Sequence, residues 1–349
     1  MLQGIDLNEL SRRITANQEL KRDYIAPANQ LEMAVQTDGK VALAVPDHGH
    51  FPILPIAHRQ LGTFINVPAQ YYDRMKVEAP DLLAENINTW LRRMPGDVKR
   101  MVRTLGGDDR ALLSNSYQRI EHEEIAAVAL PILADLPGVR IVSCQITDAR
   151  LYIHFVVETI QGEVTVGDVV QAGGIISNSE VGLGSVSVAG LIWRLICLNG
   201  AKTTDTFRRA HIGRKVDDSE ALWADDTRKA DDRAILLKVR DMVRAVVDET
   251  RFRQRLDQMR NLTEGKITGN MVTAVEVLTQ KVGLADTIRP NILRSLAEGG
   301  QLNAWGLLNA VTAQAHTATD YDNAVALEAA GGQLLDLAPS EWKHILQAA

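Results

Sequence analysis

Residues 174–200 read GIISNSEVGLGSVSVAGLIWRLICLNG, a polar Gly/Ser-rich passage that turns directly into the most hydrophobic run of the chain, interrupted only by Arg194. No other stretch restricts the fold as strongly. An apolar run of this length has to be buried, and here it brings with it an arginine and a turn made of Ser177, Asn178, Ser179 and Glu180. The pattern predicts a buried helix: Ser187 stands at an N-cap position, VAGLIWRLICL is apolar around most of its circumference, and Asn199-Gly200 supplies a left-handed stop. On this reading the NSE side chains cap the helix. Arg194 is too costly to bury alone and pairs with an acid or emerges from the core.

The rest of the chain sorts by period. LEMAVQ and KVALAV alternate around TDGK, where Asp38-Gly39 has hairpin-turn chemistry, and several short Pro-started helices follow. From about residue 98, DVKRMVRTLG and RALLSNSY form a second hairpin pattern. IEHEEIAAVALPILADL has helical spacing with acids in its first turn. VRIVSCQI and RLYIHFVVE flank TDA as a third hairpin, and VGDVVQAGGIIS adds a strand. After 215 the pattern is helical, with Leu236, Val239, Val243, Val246 and Val247 on one side of a long amphipathic segment. Shorter helices follow, separated by Gly283, Gly299-Gly300 and Gly331-Gly332. The expected class is α+β: an antiparallel β-hairpin sheet packed on a buried helix, with a helical C-terminal region. Three regions follow from it, a mixed one over 1–97, a sheet core over 98–215 and a helical one over 216–349.

Two cysteines, Cys144 and Cys197, are too few for a disulfide framework or a cysteine-rich metal site, which points to a reducing compartment. The opening MLQGIDLNELSRR has no apolar core and no run reaches membrane-spanning length, so the expected location is cytoplasmic, away from membranes. No phosphate loop or dinucleotide fingerprint is present, and the serines of the turn do not fit a nucleophile elbow. His48, His50 and His58 approach metal-ligand spacing but lack a fourth ligand. These absences specify no enzyme and no cofactor. The formal charge of −6 opposes generic nucleic-acid binding, yet KTTDTFRRAHIGRK sets Lys202, Arg208, Arg209, Arg214 and Lys215 against Asp205 alone.

NSEVGLGSVSVAGLIWRLICLNG, with RALLSNSYQRI before it and WGLLNAVTAQAHTATDY and LEAAGGQLL after it, resembles the prokaryotic family of unknown function known as phage/plasmid-like proteins, over most of the chain from about residue 50. The resemblance implies a mobile-element or prophage setting and no particular activity. The hairpins leading through a Gly/Ser turn into a long apolar segment are also similar in layout to the single-strand annealing proteins of phage recombination, the Redβ and Erf kind. That likeness implies a positively charged groove walled by sheet and helix, with the NSE turn at the groove edge, where its side chains meet a partner, with Arg194 either paired to an acid or emerging into the groove, and with protomers assembled into rings or filaments.

From side-chain chemistry, phosphates of single-stranded nucleic acid, DNA in the first instance, would be held by Arg140, Arg150, Arg194, Lys202, Arg208, Arg209, Arg214 and Lys215, with Tyr152 and Phe207 offering faces to bases. The leading expectation is a homo-oligomeric, non-enzymatic single-stranded-DNA-binding protein that promotes annealing. The alternatives are a protein-interaction or host-defence-modulating factor, and a hydrolase.

Overall fold

The computed structural model describes residues 1–117, 119–184, 186–195, 198–209, 225–246 and 248–349. The fold is α+β, with antiparallel sheets and a helical C-terminal region. Helix α1 (Leu7–Leu20) is capped by the Asp6 carboxylate, which accepts from the Glu9 amide, and runs into strand β1 (Lys21–Pro27). Strands β2 (Glu32–Val35), β3 (Val41–Val45) and β4 (Gly49–Pro52) form a meander whose first turn has Gly39 at φ 80°, the conformation that Asp38-Gly39 predicts. Helices α2 (Pro55–Phe64), α3 (Ala69–Glu78) and α4 (Pro80–Leu91) follow; Pro55, Pro68 and Pro80 all lie at helix starts, where a missing amide hydrogen costs nothing. Leu61, Leu83, Ile87 and Leu91 from these helices close over Leu43 and Val45 of the meander.

Strands β5 (Lys99–Leu105) and β6 (Asp108–Ser114) make the predicted second hairpin, turning on Gly106-Gly107, both at positive φ. Strand β1 completes this sheet in the order β1-β5-β6. Helix α5 (His122–Asp135) is closed by reciprocal bonds between Glu121 and Glu124. Five strands then form the principal sheet: β7 (Val139–Ile146), β8 (Leu151–Glu163), β9 (Val169–Asn178), β10 (Val186–Arg194) and β11 (Asn199–Arg209), in the spatial order β11-β10-β9-β8-β7. Sequential hairpins alone generate it.

The apolar run expected as a helix over 187–199 is therefore mostly strand. Val186–Arg194 pairs with β9 on one side and β11 on the other, and Leu198 at φ 50° turns the chain into β11 at Asn199-Gly200, where the sequence pattern predicts a helix stop. The physical reason is that this sheet is covered on both faces. A strand buried on both sides carries apolar residues at every position and loses the alternation that distinguishes strand from helix. Val186 and Val188 join a cluster with Leu10, Ile125, Val239 and Val243, whereas Ala189 packs with Tyr321 and Val325.

The covering helices include α6 (Asp225–Val246) and α7 (Glu249–Glu264), which divide the single long helix read from the amphipathic pattern; Asp248 caps the start of α7. Helices α8 (Met271–Lys281), α9 (Arg289–Gly299), α10 (Ala304–Ala313), α11 (Tyr321–Leu335) and α12 (Pro339–Leu346) complete the chain. Gly300 ends α9 in the left-handed conformation, as its sequence context predicts. Gly331-Gly332 does not separate helices. It lies inside α11, where a Cβ on Gly332 would overlap the Lys202 carbonyl and one on Gly331 would meet Thr312. The pair lets α11 lie directly on β11.

Contacts cross both expected region boundaries: β1 pairs with β5, α1 and α6 share a core with the principal sheet, and α11 covers β11. Among the described residues no helix is long and apolar enough to cross a membrane. The seating of α11 has a direct test. Gly332→Ala should cost about 1–3 kcal/mol of unfolding free energy through overpacking, measured by urea denaturation. Gly299→Ala, where an added methyl meets nothing within 4 Å, should leave the midpoint unchanged or slightly raised. Equal midpoints for the two variants would contradict the α11–β11 contact.

Candidate nucleic-acid interface

The NSE turn that follows β9 faces inward. Asn178 donates its side-chain amide to the Ile120 carbonyl (2.8 Å) and to Nδ1 of His122 (3.0 Å). Ser179 Oγ accepts the amides of Val181 (3.4 Å) and Leu183 (3.2 Å), making a tight local turn. Glu180, expected at a groove edge, is only 1% exposed. Its carboxylate accepts from Lys21 Nζ at 2.7 Å, the His122 amide at 2.7 Å and Arg110 Nη1 at 3.2 Å, and its carbonyl accepts from Arg103 Nη1 at 3.0 Å. The partner that meets this turn is the protein's own set of cations. Carboxylates of Asp23 and Glu121 complete the network: Arg103 is forked onto Asp23 at 2.8 and 3.1 Å and reaches Glu121 at 2.5 Å, while Arg119 also bonds Asp23.

Burial alone would raise the Glu180 carboxyl, but Lys21 and the His122 amide outweigh it and hold the group below the usual carboxylate range. His122 is neutral: burial, then Arg110 and Lys21, push its proton affinity well down. Asp109 behaves in the opposite way. It is buried with one carboxylate oxygen unpartnered among the described residues, and burial pushes its carboxyl up to about 7 despite the Ala111 amide.

The predicted cations are dispersed. Arg140 lies on β7 and pairs with Glu158 at 2.7 Å, four strand spacings from β11, which is about 19 Å. Arg140 is thus separated from β11 by the width of the sheet, and residues 210–215 of the expected groove lie outside the described residues. Tyr152, expected to stack on bases, is 5% exposed and donates its hydroxyl to Asp322 of α11 at 2.7 Å. Arg194 is internal as well. Its guanidinium forks onto Asp168 at 2.6 and 2.8 Å, and the Trp305 indole donates to the same carboxylate at 2.9 Å. Lys202 is half-buried on β11, opposite Leu191, with its carbonyl beneath Gly332.

Arg150 is different. It stands at the start of β8, and its guanidinium crosses to the Leu183 carbonyl and lies over Gly184. That is the loop entering β10, whose first residues Val186, Ser187 and Val188 are the register partners of Arg209, Arg208 and Phe207. One end of the sheet therefore brings together Arg150 and the C-terminal end of β11. Arg214 and Lys215 lie outside the described residues.

Several serine, histidine and carboxylate side chains bond one another inside the fold. Ser177 and Ser187 bond each other at 2.8 Å. A buried relay runs from Ser143 through the Tyr321 hydroxyl (2.8 Å) to His154 Nδ1 (3.0 Å), and from His154 Nε2 to Glu328 (3.0 Å). It is sealed between the sheet and α11, where Ser143, His154 and Glu328 are all buried. His58 bonds the Tyr72 hydroxyl at 2.8 Å and is lowered to about 4 by burial, while His48 stacks on Tyr24. His50 lies on β4 opposite Ala44, and among the described residues these three histidines form no group that could hold a metal ion. The chain matches no family model, no curated protein and no solved structure.

Sequence reasoning missed Lys21, Arg103 and Arg110 as partners of the turn. The one local signal is a charge inside the alternating segments MVRTL and DDRALL, where Arg103 and Arg110 point to a wet surface that does not exist.

Two measurements test the network. Glu180→Gln leaves buried cations short of charge and should cost about 3–5 kcal/mol in urea unfolding, whereas Glu9→Gln, which loses exposed pairs with Arg12 and Arg13, should cost under about 1 kcal/mol. A Glu180→Gln cost no larger than that of Glu9→Gln would refute the role assigned to the buried carboxylate. Asp109 has a folded pKa raised above its unfolded value of 3.8, so the unfolded chain ionises first and stability falls as pH rises from about 4 to about 7. Asp109→Asn should flatten that fall by on the order of a few kcal/mol, read as the difference in unfolding free energy between the two ends of the window.

Proposed function

We propose that the protein binds single-stranded nucleic acid, DNA in the first instance, along the end of the principal sheet where β11 finishes, and that several protomers line one strand to promote annealing. The observation that supports this reading is the arrival of Arg150 at the loop beside Val186 and Ser187, the register partners of Arg209 and Arg208. The Arg150 guanidinium spends a donor on the Leu183 carbonyl, and a guanidinium has five. In sequence the basic run continues to Lys215 with Asp205 as its single acid. An acidic chain of net charge −6 has to draw such affinity from a local cluster. Arg140, Tyr152 and Arg194 are not part of the proposed surface, because the first lies at the far edge and the other two are used inside the fold.

Binding of a labelled oligothymidylate, followed by anisotropy across a salt series, tests the reading. Affinity should fall steeply with salt, and each of Arg150→Ala, Arg208→Ala and Arg209→Ala should flatten the log–log slope by about 0.7. Arg140→Ala should leave it unchanged. Light scattering on the same complexes should report several protomers per strand. Absence of binding at low salt would reject nucleic-acid recognition in favour of protein interaction; an unchanged slope in the triple variant would reject this surface.

A further inference from the structure

We infer that Leu183 is the base-contacting residue of this surface, an apolar side chain that enters the stack of a single strand while Arg150 beside it engages phosphate. The inference rests on the nucleic-acid reading above and adds to it the source of the apolar contact. Single-strand binding combines cations along the backbone with side chains offered to the bases, and Tyr152, expected in that second role, is closed off beneath α11.

Leu183 is 43% exposed, and isolated exposed leucines are ordinary. The way this one is held sets it apart. Its amide is bonded to Ser179 Oγ at 3.2 Å and its carbonyl accepts from Arg150. Two residues earlier Val181 is fully buried, and its carbonyl accepts from Gln60 Nε2 at 2.7 Å. Gly182 at φ 74° and Gly184 at φ 158° supply backbone conformations that other residues rarely adopt, on either side of Leu183. The loop is thus anchored through Ser179, Glu180 and Val181 into the buried network and presents one large apolar side chain at its tip. Much of the cost of ordering that side chain's backbone is met in the free protein, which is what a preorganised contact requires. Leucine is among the apolar side chains that wedge between adjacent base steps of duplex DNA, and the inference extends that contact to a single strand. Of the exposed large apolar side chains among the described residues, Leu183 is the one whose own carbonyl holds a cation of the proposed surface.

The test uses the full-length protein and a single-stranded oligonucleotide carrying 2-aminopurine, whose fluorescence rises when it is unstacked. Wild-type protein should raise the signal on binding. Leu183→Ala should remove more than half of that rise and weaken binding about fivefold, the loss expected from half a leucine's apolar area. It should leave the salt slope intact, because no charge is lost. Leu183→Met should retain the rise. Arg150→Ala should give the converse pattern, a flatter slope with a residual rise. The inference is overturned if Leu183→Ala binds with the wild-type fluorescence change, or if wild-type protein binds without changing the signal. No binding of any oligonucleotide would overturn the nucleic-acid reading and this inference together, and is distinguished from the other outcomes by anisotropy.

Discussion

The carboxylate of Glu180 is the point at which the principal sheet is joined to the β1-β5-β6 sheet. It receives Lys21 from the start of β1, Arg110 from β6 and the first amide of α5, while its backbone carbonyl receives Arg103 from β5. Buried ions of this kind are poor sources of net stability, because desolvation consumes most of the Coulombic gain. What they impose is geometry. A carboxylate with several fixed donors tolerates one arrangement of the elements that supply them, so the end of β9, the β1-β5-β6 sheet and the start of α5 are set relative to one another by a single group.

A second constraint acts on one face of the principal sheet. Helix α11 approaches β11 closely enough to require two glycines, and from that position Tyr321, Asp322 and Glu328 reach Ser143, Tyr152 and His154. The sheet is thereby covered on both faces, and its polar row is satisfied by a helix that lies more than a hundred residues further along the chain. Where the β10–β11 register shifts, the extra residues lie on β11 opposite Gly190, and an added Cβ on that glycine would press on Thr203.

How much of this was legible follows from the range of each interaction. The hairpins could be read because their turns are local: Gly39 and the Gly106-Gly107 pair need only the positive φ that glycine favours. Helix α5, the apolar face Val239 and Val243 of α6, and the stop at Gly300 were legible for the same reason. The β10 segment was not, since burial on both faces erases the period-two signal. Its β-branched Val186, Val188 and Ile192 and the helix-weakening Gly190 were the available clues. Gly331-Gly332 read as a helix break because its reason is tertiary, a carbonyl 130 residues earlier. The candidate surface was legible as a set of residue types and not as a place. Arg194 and Tyr152 have the right chemistry, and only the fold shows that Asp168 and Asp322 use it.

The polar turn before the apolar run thus has two ends with different physics. Ser179, Glu180 and Val181 are immobilised by buried partners, and Leu183 and Gly184 emerge under Arg150 at the end of the sheet where the basic part of β11 arrives. An exposed loop supported only by its own turns would sample many conformers, and a surface built on it would lose affinity to ordering. Here the ordering is supplied from below, by a network whose members come from β1, β5, β6 and the start of α5. If that is why an acidic, well-covered α+β protein keeps so many buried charges beneath one short loop, the charges serve the loop's position more than the core's stability. Loosening them should then change what the loop presents before it changes whether the chain folds.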